Sequence, residues 1–255
     1  MRAEIIARLH QLEKEEQVTI LYACESGSRA WGFESKDSDY DVRFIYVSAR
    51  SWYLRVDSDL TRDVLERPIN DLLDISGWDL KKALKLLYKS NPALLEWLSS
   101  PTVYRADKAF VAALKSRLPE YYSPRACFYH YAHMAQGNFR QYLQGSTVRI
   151  KKYFYVLRPI LAMQWIERGM GRVPMEFETL VDRLVDDVEL KVEIQTLLAE
   201  KRAGFEQDYL PRRAVISRFI EAELQRLNAQ AAGQERVVVN YDSLNSLFLE
   251  VLDKQ

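Results

Sequence analysis

Asp39 and Asp41 stand two residues apart at the head of an apolar run, Val42-Arg43-Phe44-Ile45-Tyr46-Val47. Side chains alternate along a strand, so positions i and i+2 share a face. The two carboxylates therefore stand side by side, and neighbouring anions repel unless a cation lies between them. Mg²⁺ suits that place, because it is a hard ion that binds through one or two carboxylates together with substrate phosphates. Such a pair is the core of a two-metal phosphoryl- or nucleotidyl-transfer site. Gly27 and Ser28 lie about ten residues upstream, just after a second apolar run. Glycine lets backbone approach a ligand closely, and turn amides with a serine hydroxyl hold phosphate oxygens. Arg29 comes next, either a planar fork for a triphosphate or a solvated surface arginine. Arg43 shares the face of the two acids, and either serves the site or holds Asp41 in an ion pair.

The elements that must position these groups follow from local pattern. Ile5, Ile6, Leu9 and Leu12 repeat at helical spacing over residues 3–15. Val18–Cys24 is β-branched and aromatic and predicts a buried strand, broken by Gly27. Gly32 and the polar run Glu34–Ser38 predict a loop, and Asp39–Val47 a second strand. Residues 51–67 suggest a loop with a short strand near Val64–Leu65, and Ile69–Ile75 a third core strand ended by Gly77. Asp79 is placed to cap a helix through Leu80, Leu84 and Leu87. Asn91-Pro92 and Ser123-Pro124 read as caps followed by proline at the first helical position. Helical periodicity dominates from about 107 to 228, and a last helix carries Leu244, Leu247, Phe248 and Val251 after Val237-Val238-Val239. The expected class is α+β: a small mixed sheet with flanking helices over 1–105, then an all-helical domain over 106–255.

Lys151, Tyr155 and Arg158 fall at i, i+4 and i+7 on a predicted helix, opposite the apolar stripe Ile150/Phe154/Leu157/Leu161. That basic and aromatic stripe offers contacts to a triphosphate, a base or an RNA backbone, or is simply a solvated face. Pro159 should kink this helix. His130 and His133 sit at i and i+3 without further ligands and read as core or surface residues.

The chain has 255 residues, with 36 Lys+Arg against 36 Asp+Glu. There is no global basic field, so a nucleic-acid partner needs a local basic face. Cys24 and Cys127 have no CxxC partner and suit a reduced protein without a disulfide framework. No stretch approaches the roughly 20 apolar residues of a membrane span, so no membrane is involved and the expected location is cytoplasmic.

The residues Gly27-Ser28 followed by Asp39-Tyr40-Asp41 resemble the signature of the polymerase-β-like nucleotidyltransferase superfamily over about residues 18–47. Gly27-Ser28-Arg29-Ala30-Trp31-Gly32, Asp37 to Phe44, Trp78 to Leu84, Asn91-Pro92 and Lys151 to Tyr155 are more closely similar to its RNA-repair-associated RlaP or YcgL-like group. The resemblance implies an enzyme of the nucleotidyltransferase fold that uses two Mg²⁺ ions, with Mn²⁺ as a substitute, and an NTP such as ATP. It implies that Gly27 and Ser28 hold the β- and γ-phosphates, that Asp39 and Asp41 bind metal, and that a third carboxylate completes the site. Asp71, Asp74 and Asp79 are the candidates; Asp74 is chosen because Asp79 is more simply a cap and Asp71 a turn residue. It also implies a nucleotide-contacting lysine in the helical half, for which Lys151 is placed beside Tyr155 and Arg158. An RNA end is the implied acceptor. Two alternatives stay open: transfer of AMP to a protein or a small molecule, and a silent RNA- or partner-binding module. Two adjacent uncompensated anions in a silent copy count against the last.

Overall fold

The computed structural model describes residues 1–57, 60–67, 72–204, 209–230 and 240–254. Val237 to Val239 and Asp71 lie outside the described residues. Contacts divide the chain into two compact units. The first holds Met1–Ala30, Asp39–Tyr122 and the C-terminal helix; the second holds Trp31–Ser38 and the chain from Ser123 onward to the last-but-one helix.

The first unit is built on a five-stranded mixed sheet in the order β3-β4-β2-β1-β5. Its strands are β1 (Val18–Ser26), β2 (Tyr40–Ser48), β3 (Val64–Glu66), β4 (Leu73–Asp79) and β5 (Val103–Ala106). β1 runs antiparallel to β2 and β5, β2 parallel to β4, and β3 antiparallel to β4. Alternation sorts the strand residues between two cores. Val42, Phe44, Tyr46, Leu73 and Ile75 pack with Ile5, Leu9 and Leu12 of helix α1 (Arg2–Glu16). Ile45 and Val47 pack on the other face with apolar residues of α4 (Leu80–Tyr88), α5 (Pro92–Ser99), α6 (Lys108–Tyr121) and α12 (Asp242–Leu252).

Local chemistry sets the helix starts. Asp79 accepts the Lys81 amide at 2.8 Å, Asn91 caps α5 ahead of Pro92, and Asp107 caps α6. Two expectations are corrected here. The third strand, expected over Ile69–Ile75, is Leu73–Asp79 among the described residues, which leave out 69–71. Gly77 does not end it: a Cβ there would stand 2.2 Å from the Phe44 ring, so glycine is what lets Phe44 lie against β4. The contact-defined units do not follow a single boundary along the chain. α6 and α12 pack on the sheet's helical face and belong to the first unit, because an amphipathic stripe fixes that a helix is buried, not against what.

The second unit holds α7 (Pro124–Tyr142), α8 (Ile150–Glu167), α9 (Phe177–Leu184), α10 (Val188–Arg202) and α11 (Ala214–Gln230). A two-stranded ribbon, β6 (Thr147–Arg149) with β7 (Tyr209–Pro211), completes it. α8 is its central element, running unbroken through Pro159, with Phe154, Leu157 and Leu161 buried. Residues 31–38 form the expected loop, anchored by the buried side chains of Phe33, Ser35 and Ser38. Phe33 is 1% exposed, stacks on Phe154 at 4.7 Å and meets Phe177 edge-on at 5.4 Å. Trp31 accepts the Phe177 amide through its carbonyl at 3.0 Å, and Ser35 and Ser38 bond to each other at 2.9 Å. Among the described residues no helix is long and apolar enough to cross a membrane.

Candidate active site

Gly27 has φ +59°, a left-handed turn that glycine adopts freely. It closes β1 beside the point where Ser26 pairs with Asp41. A Cβ at position 27 would lie 2.0 Å from Asp41 Oδ2, so the glycine corner is pressed directly onto that carboxylate. Ser28 and Arg29 follow in the short helix α2 (Gly27–Ala30), both half-buried. Arg29 donates through Nε to the Asp39 carbonyl at 3.2 Å, and its guanidinium lies 3.7 Å over the Tyr40 ring. Arg29 thus fixes the backbone of Asp39, which is exposed and sits just before β2.

The parallel pairing of β2 with β4 sets Asp41 opposite Asp74. It begins where the Tyr40 amide donates to the Leu72 carbonyl at 2.6 Å. Asp74 is the second residue of its strand, with Leu73 and Ile75 turned into the α1 core. Asp74 therefore stands on the opposite face, the face of Asp41 and Arg43. Asp79 is five residues on, on the other side of the strand, and serves as the cap of α4 while accepting the Tyr53 hydroxyl at 2.6 Å. Asp71 lies outside the described residues.

Arg43 bridges the two acids. Its Nη2 donates to Asp41 Oδ1 at 2.9 Å and to Asp74 Oδ2 at 2.7 Å, and Nη1 donates to the Asp74 carbonyl at 3.1 Å. Both readings of Arg43 thus meet in one place: it is an ion-pair partner and it is in the site. Burial pushes the Asp41 carboxyl above the ordinary range; Arg43 opposes this, while the charges of Asp74 and Asp39 push the same way. Glu25 stands outside the motif and is 2% exposed. Its Oε1 accepts the Asp41 amide at 2.8 Å, and its Oε2 accepts the Tyr104 hydroxyl. Burial also raises its carboxyl above the ordinary range. An acid directly after the buried run Ile20 to Cys24 was the available signal.

The donor set suits a hard divalent ion: Asp39, Asp41 and Asp74 offer only oxygen, and such an ion would add to the charge relief that Arg43 already gives Asp41 and Asp74. Asp41 keeps Oδ1 for Arg43 and turns Oδ2 toward the space that glycine leaves open at 27. Among the described residues no three His, Cys, Asp or Glu side chains form a ready-made metal cage. Substrate phosphates commonly complete such a coordination shell.

Lys151, Tyr155 and Arg158 belong to α8 in the second unit. Lys151 and Tyr155 are half-buried. Arg158 departs from the expected outward stripe: it is 2% exposed, lies 4.7 Å over the Trp31 ring, and donates to the carbonyls of Pro174 at 3.5 Å and Met175 at 3.4 Å. Helical spacing placed it beside Lys151, but an indole face and two carbonyls take its charge inside the unit.

A family model described as RNA repair pathway DNA polymerase beta family, RlaP, matches residues 1–250. A Bacillus subtilis (strain 168) chain described as "Uncharacterized protein YcgL" is 50% identical over 255 residues, spanning 100% of this chain and 97% of that one. The crystal structure of a nucleotidyltransferase-like protein from Exiguobacterium sibiricum 255-15 matches 99% of this chain and 80% of that one, at 12% identity and a TM-score of 0.33. So distant a likeness adds nothing to the geometry above.

Proposed function

Because the chain belongs to the RNA repair pathway DNA polymerase beta family, we propose that it is a Mg²⁺-dependent nucleotidyltransferase that moves an NMP from an NTP, such as ATP, to a hydroxyl on an RNA end. The acceptor oxygen forms a bond to the α-phosphorus, and the bond to the bridging oxygen of pyrophosphate breaks. The observation that carries this reading is the registry of Asp41 with Asp74 on parallel strands, with the Gly27 corner against Asp41.

Each group has a role that follows from its place. Asp39, Asp41 and Asp74 would hold two divalent ions, Mg²⁺ or in its place Mn²⁺. The chemistry those ions supply is neutralisation of the triphosphate charge and a lowered pKa at the attacking hydroxyl. Asp74 accepts the proton of that hydroxyl. Gly27 and Ser28 hold the leaving phosphates through turn amides and the serine hydroxyl. Arg43 and Glu25 keep Asp41 in place, one through its side chain and one through its backbone. Arg29 anchors Asp39 and adds positive charge near the phosphates. On α8 of the second unit, Lys151 and Tyr155 are assigned to the nucleic-acid strand. Arg158 serves that end by bracing Trp31, since its own guanidinium is buried.

Incubation with Mg²⁺, each α-labelled NTP, and RNA oligonucleotides or cell lysate tests the proposal. Label in RNA is the expected outcome. Label in protein would move the acceptor to a protein side chain, and label nowhere would leave a binding module. Asp39→Asn and Asp41→Asn should each abolish labelling; activity that survived both would refute the assignment of the site.

A further inference from the structure

From Tyr121 to Ile166 the chain carries six Lys or Arg and no Asp or Glu. At the chain's average of 36 acids in 255 residues, six or seven would fall in that stretch. The protein is neutral as a whole, so this tract is a local concentration of positive charge that the total conceals. It covers α7, β6 and most of α8.

The fold gathers part of the tract into one patch. Lys152 Nζ lies 3.8 Å from the centroid of the Tyr142 ring and 4.6 Å from that of Tyr155. The guanidinium of Arg149 lies 4.8 Å over the ring of Tyr209, its partner across the β6–β7 ribbon. Lys151 adjoins both. Asn138 on α7 donates to the Tyr155 carbonyl at 3.2 Å, pinning the two helices side by side at the patch. Among the described residues neither Arg149, Lys151 nor Lys152 is ion-paired to a carboxylate. Partial burial, then the charges of Lys151 and Arg149, hold the Lys152 ammonium below its ordinary pKa. Three cations are thus crowded together with only tyrosine faces to offset them. A bound polyanion relieves that repulsion, and tyrosine rings beside the cations offer faces for unstacked bases. Tyr209 is 62% exposed.

We propose that this patch, made by Tyr142, Arg149, Lys151, Lys152, Tyr155 and Tyr209, is a binding site for single-stranded nucleic acid. A duplex hides its base faces and is excluded from the aromatic part of the contact; a single strand presents both phosphates and bases. As the grip on the acceptor strand, the site rests on the transfer reading above. As a binding site, it is measured without turnover.

The test is fluorescence anisotropy with a labelled unstructured 20-nucleotide RNA, the same sequence as DNA, and a duplex RNA, all in EDTA. Wild type should bind the single strands at least tenfold more tightly than the duplex. RNA and DNA arms report whether the 2′-hydroxyl matters, and either single strand bound at the patch supports the site. Arg149→Gln with Lys152→Gln should weaken single-strand binding tenfold or more. It should also reduce the slope of log K against log salt by about 1.4, at about 0.7 per lost phosphate contact. Tyr209→Ala, an exposed change that leaves the fold intact, should lower affinity without changing that slope. Equal binding by wild type and all variants, duplex preferred over single strand, or binding to phosphatidylserine vesicles in place of RNA would each overturn the proposal. Asp41→Asn separates the two readings: it should bind RNA like wild type while transferring no label. Binding at the patch without transfer by wild type would sink the reaction and leave the site standing. Transfer by wild type with binding indifferent to the patch variants would sink the site alone.

Discussion

Replacing Gly27 with alanine isolates the contact that defines the site. Two penalties apply. An L-residue held at φ +59° costs about 1 kcal/mol at the low end of the left-handed penalty. The new Cβ would also fall 2.0 Å from Asp41 Oδ2 and 2.8 Å from its Cγ, so the carboxylate must rotate away from its 2.9 Å bond to Arg43. A charge-assisted hydrogen bond is worth about 1.5–3 kcal/mol, and the lower end applies because both side chains are partly solvated, at 19% and 26% exposure. The sum is about 2.5 kcal/mol, or roughly 5–10 °C in Tm at about 2–4 °C per kcal/mol for a chain of this size. Gly32→Ala is the matched control. Gly32 has φ +84° with nothing within 4 Å of the added Cβ, so only the backbone penalty applies, about 1 kcal/mol or roughly 2–4 °C. Displacing a reacting carboxylate by about 1 Å costs about 10² in rate, so Gly27→Ala should lose label transfer by that factor and Gly32→Ala should not. Thermal melts and the α-labelled NTP assay read the two effects separately. If the variants melt together and transfer equally, the packing of Gly27 on Asp41 does not matter and the site's geometry has been misjudged.

Asp74→Asn should reduce label transfer by at least about 10², whereas Asp79→Asn should leave it close to wild type, since Asp79 faces the other side of β4; the reverse result would make Asp79 the third carboxylate. Burial raises the Asp79 carboxyl above its ordinary value of 3.8. The native state therefore holds that proton more tightly than the unfolded chain, and stability is lost as pH rises from about that value through the raised native one. Asp79→Asn should accordingly cost more stability at pH 4 than at pH 7, as urea unfolding at both pH values will show. Phe33→Ala removes a ring stacked on Phe154 and edge-on to Phe177 and should cost about 3–5 kcal/mol by denaturant melting; a loss below about 1 kcal/mol would mean that residues 31–38 are not held by that ring.

The elements carrying the motif were legible because their signals are local. β1 and β2 follow from β-branched and aromatic runs, the Gly27 turn from its lack of a side chain, and the caps at Asp79, Asn91 and Ser123 from their side-chain oxygens. Register was not local. β4 outruns its expected end because Gly77 reads as a breaker until Phe44, a residue of another strand, is seen filling the space above it. β5 is four residues, three half-buried and one exposed, too short for alternation to register. Glu25 was hidden because its partners, the Asp41 amide and Tyr104, come from other strands. Arg158 shows the limit of helical periodicity: spacing grouped it with Lys151, and only tertiary structure supplies the indole and carbonyls that draw it inside.

The course of residues 31–38 has an implication for synthesis. This connector leaves the Gly27 corner, is held among Phe154 and Phe177, and returns as Asp39. A ribosome delivers the strands of the sheet long before it delivers those two rings, and domains otherwise tend to assemble from the N-terminus as they emerge. The loop that precedes the acidic pair therefore lacks its aromatic packing until more than half of the polypeptide exists. Fragments cut anywhere between Tyr122 and Phe177 would carry every acid of the motif and lack one or both of the rings that pack on Phe33.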